Sequence, residues 1–171
     1  MKITIVGYSG SGKSSLARTL GNHFNINVLH LDSVHFLSNW IERDEEEEKI
    51  IVEKFLKENT SWIIDGNYSK LYFDQRMQES DIIIILLFNR FNCFFRVLNR
   101  YNKYKGKSRP DITQGCYEKL DKEFISWILY RGRNKIIRKR FYKLKLQYHH
   151  KVVIIKNQKQ MNNYIRKYIV K

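Results

Sequence analysis

The sequence has a single proline, only two cysteines, and no apolar run near the ~18 residues that a membrane-spanning helix needs. A bilayer-crossing segment is therefore not expected. Cys93 and Cys116 have no partners at metal-ligand spacing, which argues against a zinc site and for two buried thiols. No internal repeat or low-complexity stretch interrupts the 171 residues, a length that suits one compact domain, 1–171, with a substantial core. Near the start, Ile3 to Val6 is too short for the apolar region of a secretory signal, so a cytoplasmic location is expected. Neither a helix-turn-helix nor a zinc motif is evident.

Acidic residues are scarce in the second half. Residues 89–171 carry 23 Lys/Arg against four Asp/Glu, a net of +19, whereas residues 1–88 carry nine against thirteen, a net of −4. The formal total of +15 implies an anionic partner, a polyphosphate or a nucleic acid. Charge alone does not choose between them.

Short apolar runs alternate with helical patterns, which predicts an α/β fold around a parallel sheet. The expected strands are Lys2 to Val6, Ile26 to Leu31, Trp62 to Ile64, Ile82 to Phe88 and Val152 to Ile155. The fourth is apolar throughout, as in a strand covered on both faces. Leu16, Ala17, Leu20 and Phe24 recur at helical spacing, and Gly21 and Asn22 are expected to close that helix. Asp44 and Glu45–Glu48 open another, where acidic residues suit the positive end of the helix dipole. Further helical patterns run through Leu120–Ile128 and Ile136–Leu144, and a last one carries Met161, Tyr164, Ile165, Tyr168 and Ile169.

The chemistry is concentrated in Gly7-Tyr8-Ser9-Gly10-Ser11-Gly12-Lys13-Ser14, which fits G-x-x-x-x-G-K-[ST] between a strand and a helix. Glycines let successive backbone N–H groups turn toward phosphate oxygens without a Cβ in the way, and the helix adds its positive end. Gly7, Ser9, Gly10, Ser11, Gly12, Lys13 and Ser14 form the expected nucleotide-binding set, with Ser15 in the first helical turn. Lys13 is expected to reach the β- and γ-phosphates of ATP and Ser14 to ligate Mg²⁺. Asp65 ends the third strand and is the second expected metal residue. Asp32 holds the matching place one strand earlier, where a carboxylate can take a substrate hydroxyl's proton or orient the acceptor. Both also suit turns or helix caps. His35, beside Phe36, is expected to be a packed ring rather than a base.

After the fourth strand come Arg90, Arg96 and Arg100. Arg96 and Arg100 share a helix face and are expected to neutralise charge on a transferring phosphoryl group. A turn-rich basic segment of about residues 101–115, with Lys103, Lys105, Lys107 and Arg109, is expected to act as a mobile lid that excludes water. Arg131 and Arg133 are further candidates for phosphate contact.

The blocks Gly7–Ser14, His30-Leu31-Asp32, Trp62–Tyr68, Arg109-Pro110-Asp111, Gly115-Cys116 and Glu123–Trp127 resemble the small bacterial P-loop proteins called DNA topology modulation (FlaR-related) proteins. More broadly, the layout is similar to adenylate kinase and other nucleoside-phosphate kinases. That resemblance implies a three-layer P-loop NTPase fold with a five-stranded parallel sheet and a helical lid, and it implies paired arginines before the lid, matched by Arg96 and Arg100. Two features depart from it. Leu87-Phe88-Asn89 stands where those kinases carry Asp-x-Pro, and Asn67-Tyr68-Ser69 replaces the arginine that follows Asp-Gly, leaving Arg76 as the nearest substitute.

The expected function is an ATP-binding, Mg²⁺-dependent phosphotransferase acting on a small phosphate- or hydroxyl-bearing acceptor. The alternative is a nucleic-acid-associated regulator that uses ATP binding as a switch. Its support is the basic half interleaved with Tyr101, Tyr104, Phe141, Tyr142 and Tyr148.

Overall fold

The computed structural model describes residues 1–169. Positions 170 and 171, the end of the expected domain, lie outside the described residues, as does the side chain of Ile169. Five strands, β1 (Lys2–Gly7), β2 (Val28–His30), β3 (Trp62–Asp65), β4 (Ile82–Leu86) and β5 (Val152–Ile155), form one parallel sheet in the order β2-β3-β1-β4-β5. The central strands read as near-continuous β-branched runs because both of their faces are covered. Ile3, Ile5, Val6, Ile63, Ile64 and Ile83 to Leu86 are all buried.

Among the described residues eight α-helices connect and flank the strands: α1 (Lys13–Phe24), α2 (Leu31–His35), α3 (Glu45–Glu58), α4 (Phe73–Glu79), α5 (Arg90–Tyr104), α6 (Lys122–Leu129), α7 (Lys135–Gln147) and α8 (Gln158–Ile169). Leu16 and Leu20 of α1, Val97 of α5, Ile128 of α6 and Met161 of α8 pack with Ile5, Ile63 and Ile84 on one face of the sheet. Phe141 and Leu144 of α7 and Met77 of α4 cover Val6, Ile83 and Ile85 on the other. A third cluster joins Val52 of α3 to Leu31, Trp62, Ile64 and Leu71. Among the described residues no helix is long and apolar enough to cross a membrane.

Three local expectations need correction. Gly21 does not end α1, which runs on to Phe24; Asn25, at φ 53°, makes the left-handed cap. Gly21 is instead a packing position, where an added Cβ would lie 2.3 Å from Val28 Cγ2 of β2. The second strand covers only Val28–His30, because Leu31 is fully buried and opens α2, with Ser33 Oγ donating to the His30 carbonyl at 2.7 Å. This moves Asp32 from a strand end to the first turn of a short helix. The acidic run opens α3 as expected, with the Asp44 carboxylate accepting from the amides of Glu46 and Glu47.

The proposed lid boundary also shifts. Residues 101–104 continue α5, and the irregular strap between α5 and α6 begins at Lys105. It is not loose. Trp40 Nε1 donates to the Tyr117 carbonyl at 2.7 Å, Ser38 Oγ to the Gln114 carbonyl at 2.8 Å, and Thr113 Oγ1 to the Ser33 carbonyl at 3.0 Å. The strap therefore lies docked on the segment that follows β2.

Candidate functional site

The carboxyl ends of β1, β2, β3 and β4 open into a cleft of about 1560 Å³. That exceeds the ~300–1000 Å³ typical of a single small-ligand pocket, so there is room for two ligands side by side. Its floor is the loop from β1 to α1. Gly7 has φ 144°, and a Cβ there would meet the Leu86 carbonyl oxygen of β4 at 2.3 Å. Gly12, at φ 94°, is the N-cap of α1, and a Cβ would sit 2.6 Å from Arg96 Nη1. The loop turns because only glycine fits at these points.

No side chain caps α1, and its first intrahelical bond runs from the Leu16 amide to the Gly12 carbonyl at 3.0 Å. The amides of Lys13, Ser14 and Ser15 thus have no intrahelical acceptor and stand at the positive end of the helix. Lys13 Nζ donates to the Tyr8 carbonyl at 3.2 Å and has no carboxylate within ion-pair distance among the described residues. Desolvation holds its pKa below the ordinary 10.5, against the longer-range pull of Asp32 and Asp65. An ammonium group beside uncapped amides is a site built for an anion.

Ser14 Oγ donates to Asp65 Oδ2 at 2.8 Å, so the two expected metal residues meet. Ser14 lines the cleft and Asp65, 4% exposed, lies behind it. This pair fits Mg²⁺: both donors are hard oxygens, and Mg²⁺ takes one or two protein ligands and fills the rest with water and phosphate. Consistent with so sparse a set, no group of three His, Cys, Asp or Glu side chains could hold a metal among the described residues. The other oxygen of Asp65 bonds His30 Nδ1. Burial pulls the pKa of His30 down, but the Asp65 hydrogen bond and charge outweigh it and raise it above 6.5.

Asp32 projects into the cleft, its side chain 43% exposed. Its Oδ1 accepts from the Tyr68 hydroxyl at 2.9 Å, and its Oδ2 lies 3.3 Å from Arg109 Nη2. Burial, with the Asp32 charge next, pushes the Tyr68 phenol far up, so that it remains a donor. His35 is a packed ring as expected, 4.5 Å from Phe36 between ring centroids, and its Nδ1 also bonds the buried Glu48 carboxylate at 2.6 Å.

The paired arginines serve different ends of the cleft. Arg96 stands over the loop, donating to the Ser11 carbonyl at 2.6 Å and to the Gln158 side chain. Arg100 is held by Glu118 at 3.0 Å. Arg76, offered as a substitute phosphate ligand, is a correction: it is fully buried and donates to the carbonyls of Leu71 and Tyr68 at 2.8 Å each. Arg133 also turns inward, its guanidinium 3.9 Å from the Tyr8 ring and bonded to the carbonyls of Phe88 and Ile128. Arg131 does reach the cleft. Of the basic residues expected to close over the site, Lys103 and Arg109 line it, whereas Lys105 and Lys107 are exposed elsewhere.

Asn67 and Arg18 carry no local sequence signal, and Arg109, expected as part of the lid, also anchors an ionic cluster. Asn67 clamps Gly7 twice, accepting from its amide at 3.0 Å and donating to its carbonyl at 2.7 Å. Arg109 is surrounded by Asp32, Asp111 and Glu118 at 3.3–3.4 Å, and Arg18 bonds Asp111 at 3.1 Å. The Arg-Pro-Asp block was the one available signal, but its partners lie far away in the chain.

This fold is that of the P-loop kinases. A shikimate kinase from Acinetobacter baumannii in complex with shikimate is 16% identical, with a TM-score of 0.59 over 98% of this chain and 89% of that one. A shikimate kinase from Bacteroides thetaiotaomicron is 17% identical, with a TM-score of 0.53 over 98% and 96%. The deoxyadenosine kinase from M. mycoides with dCMP and dCDP bound is 13% identical, with a TM-score of 0.52 over 98% of both chains. At such identities the likeness carries the fold alone. No family model and no curated protein matches the chain, so its resemblance to the DNA topology modulation proteins gains no confirmation.

Proposed function

We propose that this protein is a Mg²⁺-dependent phosphotransferase that uses ATP as donor and a small hydroxyl-bearing molecule as acceptor. The observation that carries it is the uncapped start of α1 with Lys13 beside it, facing Asp32 across one cleft. The amides of the loop and of the first turn, with Lys13, would bind the triphosphate, and Arg96 would balance charge on the transferring group. Ser14 and Asp65 would hold Mg²⁺, directly or through water, and the ion would supply positive charge to the phosphates of ATP. Asp32 would orient the acceptor hydroxyl and take its proton. The strap from Lys105 would serve as the lid, excluding the water that competes with the acceptor.

Calorimetric titration with ATP tests this directly. Binding is expected with Mg²⁺ present, and Asp65→Asn is expected to weaken the magnesium dependence while leaving metal-free nucleotide binding in place. Absence of heat with every nucleoside triphosphate would refute the proposal.

A second reading, a nucleic-acid-associated regulator, is favoured by one feature. From Phe124 to Lys171 there is no aspartate or glutamate, and α7 presents Lys135, Lys139 and Lys143 beside an exposed Tyr142. Aromatics among basic residues suit single strands. If this reading holds, affinity for single-stranded DNA or RNA is expected to fall steeply as salt rises. Flat, negligible binding across the salt series removes it.

A further inference from the structure

The sheet order divides the cleft. Residues after β2 and β3 lie on one side of the phosphate loop, and residues after β4 and β5 lie on the other. Arg96, Arg131 and Gln158 belong to the second side, where the donor's negative charge has partners. The first side, with Asp32, is where the acceptor must sit.

Most of its cations are already engaged; Arg140 and Lys103 also line the cleft without a carboxylate partner among the described residues, Arg140 bonding the Asn67 carbonyl at 3.5 Å. Arg109, reaching in from the strap, faces three carboxylates, and Arg18 and Arg100 are tied to Asp111 and Glu118. Lys70 pairs with Glu45 at 2.5 Å, and Arg43 bonds the Val34 carbonyl at 2.8 Å and Glu47 at 3.5 Å. Lys119 is exposed and lies over the Trp40 ring, 5.8 Å from its centroid. A phosphate dianion entering beside Asp32 would meet paired carboxylates and would have to break partly buried ion pairs to recruit Arg109, Arg18 or Arg100. In addition, Glu118, with its side chain 2% exposed, lines the cleft with both oxygens on cations, Oε2 on Arg100 at 3.0 Å and Oε1 3.4 Å from Arg109, so its negative charge faces any incoming anion.

The same side carries a continuous aromatic wall. Tyr68 and His35 are 4.9 Å apart between centroids, His35 and Phe36 4.5 Å, and Phe36 and Trp40 5.1 Å. Trp40 is held at φ 63°, a left-handed conformation uncommon for so large a residue, by its bond to the strap. Such a wall favours a flat ring.

Resting on the phosphotransferase reading, we infer that the acceptor is a hydroxyl-bearing molecule with a flat, uncharged ring and no phosphate of its own: a nucleoside in chemical class, and not a nucleoside monophosphate. In the reaction the acceptor hydroxyl oxygen forms a bond to the γ-phosphorus of ATP, and the bond from that phosphorus to the bridging oxygen breaks. ADP leaves, and the hydroxyl proton passes to Asp32.

The test uses the full chain with Mg²⁺ and ATP, and compares a panel of purine and pyrimidine nucleosides with their 5′-monophosphates. At least one nucleoside is expected to raise ADP release tenfold or more above the rate without acceptor, while the monophosphates leave it at that rate. Tryptophan fluorescence is expected to titrate with the same nucleoside, and Trp40→Phe to abolish that signal. Asp32→Asn is expected to keep the fluorescence titration and lose the ADP release. Faster release with a monophosphate overturns the inference. So does a titration that survives Trp40→Phe, or a panel in which no nucleoside accelerates release although calorimetry shows ATP bound. Failure to bind ATP at all would instead sink the phosphotransferase reading, and this inference with it.

Discussion

Replacing Lys13 by alanine is expected to lower phosphotransfer by about 10²–10³-fold or more, the scale seen when one preorganised charge-stabilising donor is removed from a site. The protein without nucleotide should lose no stability. Lys13 has no carboxylate within ion-pair distance among the described residues, its one hydrogen bond is to the Tyr8 carbonyl, and its charge is desolvated in the cleft floor. Folding therefore disfavours the ammonium form. The sign of the pH effect follows: between the lowered folded value and the ordinary 10.5, the unfolded chain binds more protons than the folded one. Wild-type stability should accordingly rise relative to Lys13→Ala as pH climbs through that window. Thermal denaturation with and without ATP separates the effects, because ligand stabilisation should appear in the wild type and be absent in the variant. A variant that melts far lower without nucleotide would make Lys13 a structural residue, and one that turns over at the wild-type rate would remove it from the chemistry.

What the sequence disclosed is what local chemistry determines. Gly7 to Ser14 is legible because each position answers a local demand, from backbone conformation to an amide aimed at an anion. Ile82 to Leu86 is legible because a strand covered on both faces has no polar alternation to hide it. Asp44 is legible as a cap because its partners are two and three residues away. By contrast, the roles of Arg76, Arg100 and Arg109 depend on groups the chain brings near only after folding. Arg76 looks like a ligand in sequence, yet α4 buries it against backbone carbonyls. Arg100 shares a helix face with Arg96, but Glu118, 18 residues on, claims its guanidinium. Asn67 reads as a residue that replaces an arginine, and its clamp on Gly7 spans 60 positions. Periodicity reports which face is buried, not which partner waits there.

The strap offers the sharpest structural consequence of such a distant partnership. Arg109 is 7% exposed and is the common cation for Asp32, Asp111 and Glu118, two of which are themselves almost fully buried. Arg109→Leu keeps a long side chain in place but leaves those carboxylates short of their counter-ion. Removing one partner of a buried ionic cluster costs about 3–5 kcal/mol. Arg18 and Arg100 remain on Asp111 and Glu118, which places the expected loss at the lower end of that range. The penalty falls mainly on the docked strap because Arg109, Asp111 and Glu118 all belong to it and only Asp32 lies in a helix, so the main melting transition should move little. The population of the undocked strap should rise by about a hundredfold. Trypsin reads this population at Lys105 and Lys107, which flank Gly106 in the exposed part of the strap, whereas Arg109 itself precedes proline. Cleavage there should accelerate in Arg109→Leu and approach the wild-type rate again in Arg109→Lys, which restores the charge without the planar fork. Equal cleavage rates in wild type and Arg109→Leu would mean that the Thr113 hydroxyl and the carbonyls of Gln114 and Tyr117 hold the strap without help from the ionic cluster.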